Sequence, residues 1–138
     1  MVFTLPSFAK LNLDLRVIGK RDDGYHELFT VFQTVSLCDE ITFEDSDSVE
    51  MTSSHRGIPT DGRNLIVKSG NVLRERFAVT AGAKMHLRKR IPAPGGLGGG
   101  SSNAAVALIG LNRLWRLDIS FEEMLEIAAT LGSDVPFF

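Results

Sequence analysis

Five of the six residues from Gly95 to Gly100 are glycine, inside Pro92-Ala93-Pro94-Gly95-Gly96-Leu97-Gly98-Gly99-Gly100-Ser101-Ser102-Asn103, and a helix-forming run, Ala104 to Leu108, follows at once. Glycine permits positive φ and lacks the Cβ that would hold a ligand off the backbone. A glycine loop that runs into a helix presents free N–H groups, and the positive end of the helix dipole, to an anion such as phosphate. Glycine-rich linkers are flanked by polar, low-complexity sequence, whereas this loop lies between an alternating apolar run and an amphipathic helix. No Lys-Ser or Lys-Thr follows the last glycine, which excludes a Walker A loop. Reading G-x-G-x-x-G from Gly96 puts Ser101 where the third glycine should stand, which excludes the dinucleotide fingerprint. A third type of phosphate loop is expected. In it a valine at Gly99 would occupy the phosphate's place and resist positive φ.

A chain of 138 residues with 43% hydrophobic content fits one domain with a real core. The net charge of −2 gives no global basic field to attract nucleic acid. Cys38 is the only cysteine, so neither an internal disulfide nor a CxxC metal site can form. No signal-like start and no apolar run near the ~20 residues of a membrane span is present, which points to a cytoplasmic location away from membranes. The last residues, Val135-Pro136-Phe137-Phe138, are apolar and carry no polar tail. They look like a longer protein cut within an element, or else a terminus tucked into its own core.

Residues 8–18 alternate, with Ala9, Leu11, Leu13, Leu15 and Val17 on one face and Lys10, Asn12, Asp14 and Arg16 on the other. Period two predicts a half-buried strand whose polar face carries Lys10 and Asn12; solvated decoration is the plain alternative for both. Turn chemistry at residues 19–24 leads to Tyr25-His26. A second apolar run, Leu28 to Leu37, is predicted to turn at Cys38-Asp39-Glu40 into a strand at Ile41-Thr42-Phe43. The polar segment 44–61 reads as a surface connection with a short strand at Val49-Glu50-Met51. His55 and His86 have no metal-binding spacing. Asn64 suits the N-cap of a helix from Leu65 to Phe77, with Ile66, Leu73 and Phe77 on one stripe. Residues 84–91 alternate as a strand with Met85 and Leu87 inward. The helix after the glycines presents Ala104, Ala107, Leu108, Leu111, Leu114 and Trp115 on one face. A capping box at Ser120 to Glu123 and Gly132 at the C′ position bound a last helix. Asp134 follows on a corner fixed by Pro136, where an N-cap and a catalytic carboxylate are equally good readings. Early strands and late helices favour an α+β domain with helices packed on one face of a mostly antiparallel sheet.

Four segments in order resemble the GHMP kinases: Ala9-Lys10-Leu11-Asn12-Leu13, Asp23-Gly24-Tyr25-His26-Glu27-Leu28, Pro92 to Ala105, and Leu131-Gly132-Ser133-Asp134-Val135-Pro136-Phe137-Phe138. The Gly-Tyr-His segment is similar to the branch that acts on a cytidine-diphosphate sugar alcohol in non-mevalonate isoprenoid synthesis. The resemblance implies the ribosomal protein S5 domain 2-like, N-terminal half of a two-domain kinase, with the C-terminal domain absent from this chain. It implies ATP-dependent phosphorylation of a 2-hydroxyl. Gly95, Gly96, Leu97, Gly98, Gly99, Gly100, Ser101 and Ser102 would cradle the ATP phosphates, with Ser101 or Ser102 near Mg2+. Asn64 and Lys89 match the nucleotide pocket, Lys10 and Asp134 the catalytic pair, and Asn12, Tyr25 and His26 the substrate side. Pro94 departs from the family's glycine and is expected to stiffen the loop entrance. A homoserine- or mevalonate-type kinase and a non-catalytic nucleotide-binding module are the competing readings.

Overall fold

The structure is a computed structural model that describes residues 1–20, 22, 26–93 and 95–138, with the side chains of residues 14–17 and 26–29 also outside the description. In chain order the elements are β1 (Val2–Lys20), β2 (His26–Ser46), β3 (Val49–Ser53), α1 (Leu65–Phe77), β4 (Gly82–Arg88), α2 (Gly99–Trp115) and α3 (Phe121–Leu131). A 3₁₀ turn at Val135–Phe137 follows α3. The four strands form one sheet in the order β1-β2-β4-β3. The β1–β2 and β2–β4 pairs are antiparallel, and β3 runs parallel to β4 because α1 carries the chain back between them. This is the predicted α+β architecture with one parallel pair added.

The sheet's inner face and the helices share one core, built on fully buried Ile41, Phe43, Ile66, Leu73, Met85 and Leu111. Close approach of α2 to the sheet depends on Gly110, where a Cβ would lie 2.2 Å from the Phe43 ring. Local signals account for the helix ends. The Asn64 side chain accepts from the Ile66 N–H at the start of α1, and Ser120 accepts from Glu123 N–H at the start of α3. Gly132 ends α3 in extended backbone, at φ 171°, so the left-handed C′ conformation expected there is not used.

Two strand expectations are overturned. Cys38, Asp39 and Glu40 do not turn but lie within β2, opposite Phe8, Ser7 and Pro6 of β1. The alternation that begins at Ala9 also fails, because the register shifts between Phe8 and Lys10. Ser7, Ala9 and Lys10 are buried while Leu11 and Leu13 are exposed, at 44% and 62%. A bulge adds residues to one strand and re-aims the side chains beyond it. Here it turns Lys10 inward, from the solvated face that simple alternation assigns it.

Candidate functional site

The glycine stretch links the end of β4 to α2, and its backbone explains its composition. Gly96 and Gly98 have φ of 68° and 70°, the left-handed region that favours glycine. The Leu97 carbonyl between them accepts from the Lys10 N–H at 2.9 Å, so the loop is tied to β1. Gly98 is the N-cap of α2, without any side-chain cap, and its carbonyl takes the Ser102 N–H at 2.8 Å. The N–H groups of Gly99, Gly100 and Ser101 therefore head the helix with no intrahelical acceptor. Ser101 and Ser102 lie inside the first turn of α2. Gly99 is helical, which corrects the expectation of positive φ there. A Cβ at Gly99 would lie 2.9 Å from Lys89 Nζ and 3.1 Å from Ile91 Cγ2, so any larger residue there must displace these side chains. Around Gly96 and Gly100 a Cβ would meet nothing within 4 Å, which marks the open side of the loop. Pro94 lies outside the described residues.

A cleft of about 180 Å3 opens beside the helix start, lined by Asn64, Arg63, Lys89, Gly100 and Asn103 among others. A second hollow of about 240 Å3 shares its Ile58, Lys89 and Ala93 walls. Asn64 thus borders the predicted pocket, but its amide is occupied at both ends, capping Ile66 N–H and donating to the Pro59 carbonyl at 2.9 Å. Arg63 on the rim holds Asp61 in a hydrogen-bonded ion pair that lowers that carboxyl to about 2.

Beneath the cleft lies a buried polar cluster that sequence patterning missed. The Asp39 carboxylate, fully buried, accepts from Lys89 Nζ at 2.6 Å, from the N–H groups of Arg90 and Ile91 at 2.6 and 2.8 Å, and from Asn103 Nδ2 at 3.0 Å. Burial alone would raise its carboxyl. The donations from Ile91, Lys89, Arg90 and Asn103 outweigh that and hold it below the ordinary 3.8. Asn103 also donates to Ser7 Oγ at 2.8 Å, and Ser7 donates to Ser102 Oγ at 2.9 Å. Ser102 is buried and serves this cluster; Ser101 is half-buried. The only sequence trace of the cluster is a polar pair, Asp39-Glu40, between two apolar runs, which resembles a turn.

Lys10 lies against the loop from the other side, its side-chain carbons 3.0–3.1 Å from where a Gly98 Cβ would stand. Its ammonium donates to the Asn12 side chain and sits 4.7 Å from the centre of the Phe32 ring. Phe137 packs edge-on to Phe32 at 4.8 Å, and the Phe137 N–H returns to the Asp134 carbonyl at 3.1 Å. Lys10, Asn12 and the turn that carries Asp134 are thus linked through two phenyl rings, while no ion pair within 4.0 Å joins Lys10 to Asp134 among the described residues. Asp134 occupies the N-cap position of the 3₁₀ turn, but its side chain makes no cap hydrogen bond. Tyr25 lies outside the described residues, and His26 is described only through its backbone, at the start of β2.

The glycine-headed start of α2, with no side-chain cap, thus stands at one edge of a four-stranded sheet that shares its core with the helices. The profile of the GHMP kinases N terminal domain matches residues 64–138, and the chain belongs to the GHMP kinase family. It is 47% identical over 135 residues to a 4-diphosphocytidyl-2-C-methyl-D-erythritol kinase from Caldicellulosiruptor saccharolyticus, covering 96% of this chain and 47% of that protein. It is 48% identical over 136 residues to the enzyme of the same name from Methylococcus capsulatus, covering 97% of this chain and 46% of the relative. The crystal structure of a 4-(cytidine 5'-diphospho)-2C-methyl-D-erythritol kinase superposes with a TM-score of 0.81 at 38% identity, covering 99% of this chain and 48% of that one. A mevalonate kinase structure superposes at 0.71 with 11% identity over 99% of this chain and 47% of its own, a likeness of fold alone. The chain spans about half the length of the curated relatives it matches. Among the described residues, no helix is long and apolar enough to cross a membrane.

Proposed function

We propose that residues 1–138 are the ATP-binding, N-terminal domain of a 4-diphosphocytidyl-2-C-methyl-D-erythritol kinase, and that a C-terminal domain completes the substrate cleft. The reaction is transfer of the γ-phosphoryl group of ATP to the 2-hydroxyl of the cytidine-diphosphate sugar alcohol, in non-mevalonate isoprenoid synthesis in the cytoplasm. The observation that carries this reading is identity of 47% over 96% of the chain to a kinase of that name, with the glycine loop and Lys10 in mutual contact.

Phosphoryl transfer asks the protein chiefly to position reactants and to stabilise charge on the transferring oxygens. The N–H groups of Gly99, Gly100 and Ser101 supply fixed donors for the phosphates, reinforced by the α2 dipole. Gly96 and Gly100 leave the space that the phosphates need. No cluster of three acidic, histidine or cysteine side chains suited to a metal occurs among the described residues. Mg2+ is held largely by substrate phosphates and water, and Ser101, half-buried in the first turn of α2, is the hydroxyl that would meet it. When bound, Mg2+ neutralises phosphate charge. Asp134 accepts the proton of the attacking hydroxyl at its carboxylate, and Lys10 orients the reacting groups. Asn12, Tyr25 and His26 form the cytidine side, where an aromatic ring stacks on the base and an imidazole bonds its edge. Lys89 borders the nucleotide.

The test is turnover by the full-length enzyme with ATP and a panel of the cytidine-diphosphate substrate, homoserine and mevalonate. Phosphorylation of the first alone is expected. Equal turnover of homoserine or mevalonate would overturn the substrate assignment.

A further inference from the structure

Lys89 stands beside the start of α2, its Nζ 2.9 Å from where a Gly99 Cβ would lie, yet its charge is already engaged. Its ammonium lies 2.6 Å from Asp39, and the two side chains are 7% and 0% exposed. Asp39 at the same time fixes the backbone that leaves β4, through Arg90 and Ile91 N–H, and the first turn of α2, through Asn103. One carboxylate on β2 therefore ties together the two ends of the glycine loop and the cation beside it. An ammonium has three donors, and one is spent on Asp39.

We infer that Asp39 is a positioning residue for the bound phosphates: it sets where the loop closes, where α2 begins and how Lys89 is aimed toward Gly99. This rests on the reading of the glycine loop as a phosphate site, and it assigns the aim of that site to a strand residue outside every motif. A buried ion pair of this kind gives little net stability by itself, because desolvation offsets the attraction. Its geometric consequence is larger, since it removes the freedom of a long lysine side chain at the point where an anion must be met.

The experiment is isothermal titration of the full-length protein with Mg-ATP and with adenosine, comparing wild type, Asp39→Asn and Asn103→Ala. Adenosine reports the pocket without phosphates, so the ratio of the two affinities isolates the phosphate contribution. Asp39→Asn is expected to lower that ratio about tenfold, the worth of one charge-assisted hydrogen bond, with adenosine affinity unchanged. Asn103→Ala, which keeps the Asp39–Lys89 pair but frees α2 from it, should lower the ratio about threefold, in line with loss of one neutral hydrogen bond. If Asp39→Asn does not fold, Asn103→Ala decides. A wild-type ratio in a folded variant, or parallel loss of both ligands, would overturn the positioning role and leave the phosphate site standing. A wild-type chain that binds ATP no better than adenosine would instead remove the phosphate-loop reading, and this inference with it.

Discussion

Gly98 and Gly100 differ by two positions and are glycine for different reasons. Gly98 sits at φ 70°, and a Cβ there would meet Phe138 Cζ at 2.8 Å and Lys10 Cγ at 3.0 Å. Gly98→Ala should therefore lower stability by about 1–3 kcal/mol, the usual cost of a strained backbone position. Gly100 is exposed and a methyl group there meets nothing within 4 Å, so Gly100→Ala should leave stability within about 0.5 kcal/mol of wild type. Its methyl would still stand on the open side of the loop and weaken ATP. Urea denaturation beside nucleotide titration checks both variants; equal stability loss in the two would contradict the assigned roles. Asp39 gives a pH signature. Its folded-state carboxyl is held below 3.8, so the stability it contributes is complete above that value and is lost as pH falls through the lower, folded one. The melting-temperature gap between wild type and Asp39→Asn should be constant from neutral pH to about 5 and shrink below about 4, the range in which an aspartate titrates. A gap that instead widens in acid would mean that Asp39 is not the ionised partner of Lys89.

Elements with local signatures were legible. Asn64 and Ser120 cap helices by their own hydrogen bonds, β4 buries Met85 and Leu87 as alternation requires, and the glycines led to the head of α2. What stayed hidden depends on partners distant in sequence. Nothing near Asp39 announces that Lys89 and Asn103 will neutralise and bond it, so a polar pair between apolar runs reads as a turn. Nothing near Lys10 shows the register shift that buries it, because a bulge is a property of two strands. The parallel β3–β4 pair likewise follows from where α1 returns the chain. At this scale the closest dependence is α2 on β2. Gly110→Ala would force a methyl group to 2.2 Å from the Phe43 ring, which is fully buried. Overpacking costs about 1–3 kcal/mol, and a fall of that size in denaturation free energy is expected. A neutral outcome would mean that α2 stands farther from the sheet.

For the molecule as a whole, sheet, loop and C-terminal turn converge on one end of the domain. Lys10 from β1, Gly98 at the head of α2 and Phe138 beyond α3 are mutual neighbours, although far apart in sequence. A third, apolar hollow of about 110 Å3 lies between α2 and α3, lined by Phe121, Met124 and Ala128 among others. The central claim is that nucleotide phosphates bind at the first end. Backbone amide chemical shifts of the 138-residue chain, followed by NMR through a titration with Mg-ATP, test it most directly. Saturable shifts should concentrate at Gly96, Gly98, Gly99, Gly100 and Ser101 and at Lys10, whose N–H is bonded to Leu97. Saturable shifts confined to Phe121, Met124 and Ala128, or none at the glycine loop, would contradict the account.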